Sequence, residues 1–248
     1  MTLGPMEHVV VVGSSLAGLR AGETLRTEGF TGRITLVGAE RHQPYDRPPL
    51  SKQVLAGTWE PDRIALRRGD GVAALGMDLQ LGVPAVALDT EARSVTLADG
   101  RELPFDGLVV ATGSSPRRVP GQLDLPNVHE LRTLDDALAL RARLADGGPR
   151  VVVVGAGFIG LEVAATATGH GCRVTVLEAA PAPLIRGLGA ALGAAVVDAV
   201  SGRVGFDVRC GSAIAALEPD GVRLAGGSLV TADVVVVGIG VSPATAWL

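Results

Sequence analysis

The chain has 248 residues, 47% of them hydrophobic and only 3% aromatic, so a sizeable core must be built from Val, Leu, Ala and Ile, at a length that suits two modules. A net charge of −4 offers no general attraction to nucleic acid or to an anionic membrane, and no apolar run reaches the roughly 18 residues of a membrane span. Cys172 and Cys210 form no CxxC or CxxxxC pair, and His8, His42, His129 and His170 are scattered, so neither a dithiol redox centre nor a metal cluster is expected.

The opening MTLGPMEH lacks a basic region followed by an apolar core; no signal peptide is read, and a cytoplasmic location is expected. Residues 8–13 read as a buried strand, 16–28 as an amphipathic helix and 33–38 as a second strand. The junction between the first two is VVVVGSSLAG, Val9 to Gly18. In such a strand–turn–helix the first glycine permits the turn, the second lets backbone approach a pyrophosphate, and the third lets helix and strand pack closely. The helix start then turns free N–H groups and a partial positive charge toward the phosphates. Here Ser15 stands at the second glycine's place. ITLVGAE puts Glu40 at the end of the next strand, where an acid can bind a ribose hydroxyl pair.

The proline-rich RHQPYDRPPLSK (41–52) reads as a loop opening a helix near Leu50 to Leu55, and 56–80 as irregular. Alternating segments from Val83 to Phe105 predict a small antiparallel meander, followed by the apolar strand LVVATG, 108–113. Residues 114–130 read as a crossover. Thr133 caps a helix with Asp136 as its capping-box partner, and Leu134, Leu138 and Leu144 give it an apolar face.

The opening pattern then repeats. VVVVGAGFIG places Gly155, Gly157 and Gly160 in step with Gly13, Ser15 and Gly18; strand 150–155, helix 158–168 and strand 172–178 follow, the last ending at Glu178. A helix over 188–201 and short strands near 206–210, 213–217, 222–224 and 228–230 lead to ADVVVVGIG, 232–240, a buried strand with a small-residue exit like that of LVVATG. Two dinucleotide fingerprints in one chain point to a protein that holds two dinucleotides and passes electrons between them. Lys52 is the single lysine among 22 basic residues, a compact ammonium where every other position has arginine.

The strings GSSLAGLRAGETLR, ITLVGAERHQPYDRPPLSK, LVVATGSSPR, ELRTLDDA and VVVVGAGFIGLEVAATA together resemble the FAD-dependent ferredoxin reductases of the pyridine nucleotide-disulfide oxidoreductase superfamily. The resemblance runs over essentially the whole chain, and PYDRPPLSK is its most specific part. It implies an α/β architecture of two Rossmann-like dinucleotide-binding units, glutathione-reductase-like, with an FAD-binding domain at 1–118 and an NAD-binding domain at 119–248. The implied reaction carries hydride from NADH to FAD and single electrons onward to a small iron–sulfur ferredoxin feeding a cytochrome P450 or a Rieske oxygenase.

By the same resemblance, Gly13, Ser15, Ala17 and Gly18 hold the FAD pyrophosphate and Glu40 its ribose. The strand from Ala85 passes the adenine, and Ala111, Thr112 and Gly113 cover the cofactor. Arg47, Lys52 and Arg132 contact the flavin, where the lysine's charge stabilises its reduced, anionic form. Gly155, Gly157, Phe158, Ile159 and Gly160 hold NADH, Glu162 faces the nicotinamide, and Gly238, Ile239 and Gly240 turn beside it. Lys52 and Glu162 are the expected catalytic pair. Glu178, followed by Ala179 and Ala180, favours a free 2′-hydroxyl and so NADH over NADPH.

The chain departs from the family at its end. No Gly-Asp pair follows Gly240, and the sequence stops at Trp247-Leu248, so it reads as C-terminally truncated. Two functions therefore stand: a flavin-dependent NADH:acceptor oxidoreductase, with ferredoxin or another acceptor, and a nucleotide-binding remnant that does not turn over.

Overall fold

Val9–Val12 carry an apolar side chain on both faces of the backbone, the composition of a strand covered on either side in a parallel sheet. In the computed structural model, which describes residues 6–67 and 69–248, these residues lie in β1 (His8–Val12), each at most 3% exposed. The chain then forms α1 (Leu16–Thr27), β2 (Arg33–Gly38), β3 (Asp78–Leu81), the meander β4 (Ala85–Asp89), β5 (Ser94–Leu97) and β6 (Glu102–Pro104), and β7 (Gly107–Val110). The main sheet is parallel throughout, in the order β3-β2-β1-β7. β3 falls where an irregular stretch was expected; DLQL is short and half polar, and becomes a strand by pairing Leu36 with Leu79 beside β2.

β8 (Ser114–Pro116) leads out of this unit. The second unit holds β9 (Val128–Glu130), α2 (Leu134–Leu144), β10 (Arg150–Val154), α3 (Phe158–Gly169), β11 (Arg173–Leu177), α4 (Ile185–Leu188), α5 (Ala190–Val204), β12 (Asp207–Arg209), the meander β13 (Ile214–Glu218), β14 (Gly221–Leu224) and β15 (Leu229–Thr231), and β16 (Val234–Val237). β17 (Val241–Pro243) follows. The sheet order is β12-β11-β10-β16-β9, again parallel throughout. α2 begins with the expected capping box: Thr133 accepts from the Asp136 N–H, and Asp136 accepts from the Thr133 N–H. Its buried face is Leu134, Ala137, Leu140 and Leu144, with Leu138 only half-buried. No helix among the described residues is long and apolar enough to cross a membrane.

A single cut after residue 118 does not describe the two compact units. The segment Arg47–Glu60 groups with the second unit, and Pro243–Leu248 with the first. Burial explains both. Leu55 is fully buried in a cluster with Leu140, Val151 and Val163, while Trp247 packs with Val10, Val12 and Val95. The expected helix at Leu50–Leu55 is instead a 3-10 turn, Pro48–Ser51, followed by irregular turns. The carbonyls of Ser51 and Leu55 bond the side chains of Thr166 in α3 and of its C-cap residue His170 rather than a helical ladder.

The sheets share a detail beyond the glycine motif. Asp106, just before β7, accepts from the N–H groups of Glu7 and His8. Asp233, just before β16, accepts from the Arg150 N–H at 2.8 Å and from its guanidinium at 2.6 and 3.0 Å. Arg150 thereby pulls the Asp233 carboxyl down to about 2, and the two N–H groups hold Asp106 low as well. A carboxyl so depressed contributes stability that is fully present above its unfolded value of about 3.9 and is lost as pH falls toward 2. The chain is therefore expected to lose thermal stability between about pH 4 and pH 2, and Asp233→Asn to flatten that loss modestly, since the pair is solvent-screened. Melting curves across this range check it; an unchanged slope in Asp233→Asn would exclude the pair as a contributor.

Candidate functional sites

At the first turn, Gly13 has φ +119°, and a Cβ there would lie 2.0 Å from the Ala111 carbonyl oxygen. Its N–H donates to Val37 O at 2.8 Å. A Cβ at Gly18 would meet the Gly13 oxygen at 1.8 Å. Both glycines are thus demanded by the protein's own backbone. Ser15 is the N-cap of α1 and makes no side-chain capping bond; Ala17 is exposed beside it. Ala111 N–H donates to Val12 O, Thr112 Oγ1 to Ala244 O, and Gly113 O accepts from Ala244 N–H. These residues meet at the C-terminal edge of the first sheet, the side on which open α/β sheets take ligands. Glu40 accepts from the buried Tyr45 hydroxyl at 2.5 Å, and its carbonyl accepts from Gly82 N–H at the approach to β4 and Ala85.

The second turn repeats this closely. Gly155 has φ +109°, donates to Leu177 O at 2.7 Å, and would place a Cβ 2.5 Å from the Gly238 oxygen. A Cβ at Gly160 would lie 2.1 Å from the Gly155 oxygen. Gly157 differs. Its φ is −81°, and an added Cβ would meet nothing within 4 Å. Neither backbone strain nor packing requires a glycine there; the open space itself is the feature. It lies at the N-terminus of α3, where no side chain caps the helix, so open space adjoins the first turn, an arrangement suited to an anion such as a pyrophosphate. Phe158 and Ile159, 58% and 45% exposed, flank it. Glu178 accepts from Ala156 N–H and Ala180 N–H, each at 2.8 Å, which fixes its carboxylate at the turn with lone pairs to spare. Ile239 packs against the second unit's core, and Gly240 O accepts from Arg117 N–H.

The remaining expected residues gather on the segment 47–60 and the helices of the second unit. Arg47 donates to Arg132 O at 2.6 Å. Lys52 Nζ lies 2.8 Å from Glu162 Oε2. The same oxygen accepts from the Ser51 hydroxyl at 2.5 Å. Thr166 Oγ1 donates to Ser51 O, and His170 Nε2 bonds Leu55 O at 3.0 Å. A cavity of about 440 Å³ opens here, lined by Lys52, Gln53, Ala56, Thr58, Thr166 and His170, among others. Sequence reasoning missed Ser51 and gave His170 no role. The legible signal was the four-residue spacing of Glu162, Thr166 and His170, one face of a helix. The two cysteines are free: Cys172 is buried, its thiol raised by burial, and Cys210 is exposed.

Residues 7–248 match the family described as pyridine nucleotide-disulphide oxidoreductase. The chain belongs to this family. Among curated relatives it is 43% identical over 240 residues to the ferredoxin–NAD(+) reductase component of the p-cumate 2,3-dioxygenase system of Pseudomonas putida, covering 96% of this chain and 59% of the relative. It is 40% identical over 242 residues to rhodocoxin reductase of Rhodococcus erythropolis, covering 95% and 56%. Among solved structures, the covalent putidaredoxin reductase–putidaredoxin complex matches with a TM-score of 0.90 at 37% identity, over 97% of this chain and 60% of that one. The chain thus spans a little under three-fifths of the curated relatives it matches. This family member carries the doubled glycine turn, and its two cysteines are both free.

Proposed function

We propose that this chain binds FAD at the first glycine turn and NADH at the second, and that it acts as an NADH:ferredoxin oxidoreductase. Its electrons would pass to a small iron–sulfur ferredoxin of a Rieske oxygenase or cytochrome P450 system. The observation that carries the nucleotide reading is the doubled strand–glycine turn–helix: Gly13 and Gly155 each sit at positive φ against the facing strand exit, with open space at Gly157 beside an uncapped helix start. The names of the relatives support the acceptor: both curated proteins are reductases, one of them a ferredoxin–NAD(+) reductase component.

When bound, the two cofactors supply the chemistry, a hydride given by NADH and received by FAD. The chain's residues bind and orient. Gly13, Ser15, Ala17 and Gly18 cradle the FAD pyrophosphate, with Glu40 on the ribose, β4 from Ala85 along the adenine, and Ala111, Thr112 and Gly113 over the cofactor. Gly155, Gly157, Phe158, Ile159 and Gly160 hold NADH, with Gly238, Ile239 and Gly240 at the facing strand exit. Lys52 and Glu162 act as a paired cation and carboxylate at the reacting rings, with Arg47 and Arg132 supporting the flavin. Glu178, already anchored at the turn by two backbone N–H groups, bonds a free 2′-hydroxyl and repels a 2′-phosphate, which sets the preference for NADH.

A second reading is binding without turnover, since a glycine turn holds a dinucleotide whether or not a hydride passes from it. The visible spectrum of the purified chain with FAD, then with anaerobic NADH, separates the two. Flavin bands that survive desalting and bleach with NADH support the reductase. Bands that survive and do not bleach support binding alone, and a colourless protein refutes both FAD assignments. Glu178→Ala is expected to lower the ratio of NADPH to NADH dissociation constants about tenfold, the scale of one lost charge contact. An unchanged ratio in competitive titrations would remove Glu178 from cofactor choice.

A further inference from the structure

Lys52 and Glu162 are 40% and 36% exposed. An ion pair this open contributes little and is screened by salt, so it does not by itself hold a four-carbon stem in one rotamer. Ser51 supplies what the pair lacks. It is 5% exposed, its hydroxyl donates to the oxygen that Lys52 also contacts, and its carbonyl accepts from Thr166 one helical turn beyond Glu162. The serine side chain has one torsion to lose, and both of its bonds reach a single helix.

We propose that Ser51 is a positioning residue: its buried hydroxyl locks the Glu162 carboxylate, and the locked carboxylate fixes the Lys52 ammonium at one point. The purpose of that fixed cation rests on the function proposed above; the geometry does not. Thr166 and His170 extend the device by bonding the carbonyls of Ser51 and Leu55, which clamps the segment that carries the lysine to α3.

Lys52 is the only lysine in the chain, so labelling the full chain with ¹³C,¹⁵N-lysine gives one ammonium signal. In the wild type, without added cofactor, the two Hε protons are expected to be inequivalent and the Cε motion restricted. Ser51→Ala is expected to average them and to make the residual ordering fall with added salt, because only the screened ion pair is left. If Ser51→Ala does not yield folded protein, Ser51→Cys, with a similar shape and a weak donor, gives the same reading. A lysine signal in either variant that matches the wild type overturns the proposal. NADH-driven flavin reduction is then measured in the same variant, where a several-fold lower, salt-sensitive rate is expected. Lysine averaging with an unchanged rate would leave the positioning role standing and remove Lys52 from the proposed chemistry.

Discussion

Gly13→Ala is expected to be the most damaging single substitution at either turn, lowering the stability of the first unit by about 4 kcal/mol. Two costs add. At φ +119° an L-residue is strained, by about 1–3 kcal/mol. The new Cβ would also lie 2.0 Å from Ala111 O, and overpacking against atoms that cannot turn away costs about 1–3 kcal/mol more. Ala111 is held in place by its own N–H bond to Val12 O at 2.7 Å, so relief requires the edge strand β7 to separate from β1, an inner strand of the sheet. Hydrogen exchange resolves the effect by location. Protection should collapse across β1, β2 and β7, while β10, β11 and β16 keep theirs. Wild-type protection at Val10 and Val11 in Gly13→Ala would mean that the turn relaxes without strand separation.

The sequence disclosed this architecture wherever the information was local. Each glycine turn lies within ten consecutive residues, and the capping box within four, so Gly13, Gly18, Gly155, Gly160 and the Thr133–Asp136 pair were legible by spacing alone. What escaped depends on partners distant in the chain. β3 and β9 are too short to show a period, and exist because β2 and β16 offer them open edges. The destination of residues 47–60 is set by Leu55 filling a core formed mainly by residues 140–236. Ser51 and His170 took their roles from a carboxylate and a backbone carbonyl more than a hundred residues away, and a backbone carbonyl leaves no mark in a sequence. The three glycines of the fingerprint, given separate roles by position, also differ in their surroundings: Gly155 and Gly160 answer to backbone oxygens at 2.5 and 2.1 Å, and an added Cβ at Gly157 would meet nothing within 4 Å.

That asymmetry leads to the second large effect. Gly157→Ala is expected to leave the second unit's stability within about 0.5 kcal/mol of wild type, because alanine's poorer N-capping and its smaller unfolded-state entropy oppose each other. The backbone there, φ −81° and ψ 178°, is one any residue adopts. NADH affinity is expected to fall at least tenfold, about 1.4 kcal/mol, since the methyl enters the space left beside the first-turn N–H groups of α3. The first unit supplies an internal control: Ser15 occupies the equivalent place with a similar extended backbone, φ −104°, so a Cβ is tolerated at one turn of this chain. A serine hydroxyl can bond a phosphate oxygen where a methyl cannot, and Gly157→Ser is therefore expected to bind NADH better than Gly157→Ala. Calorimetric titration with NADH, alongside thermal melts of both variants, reads the two quantities separately. Equal affinities for wild type and Gly157→Ala would place the dinucleotide elsewhere and leave the open space at Gly157 without a ligand.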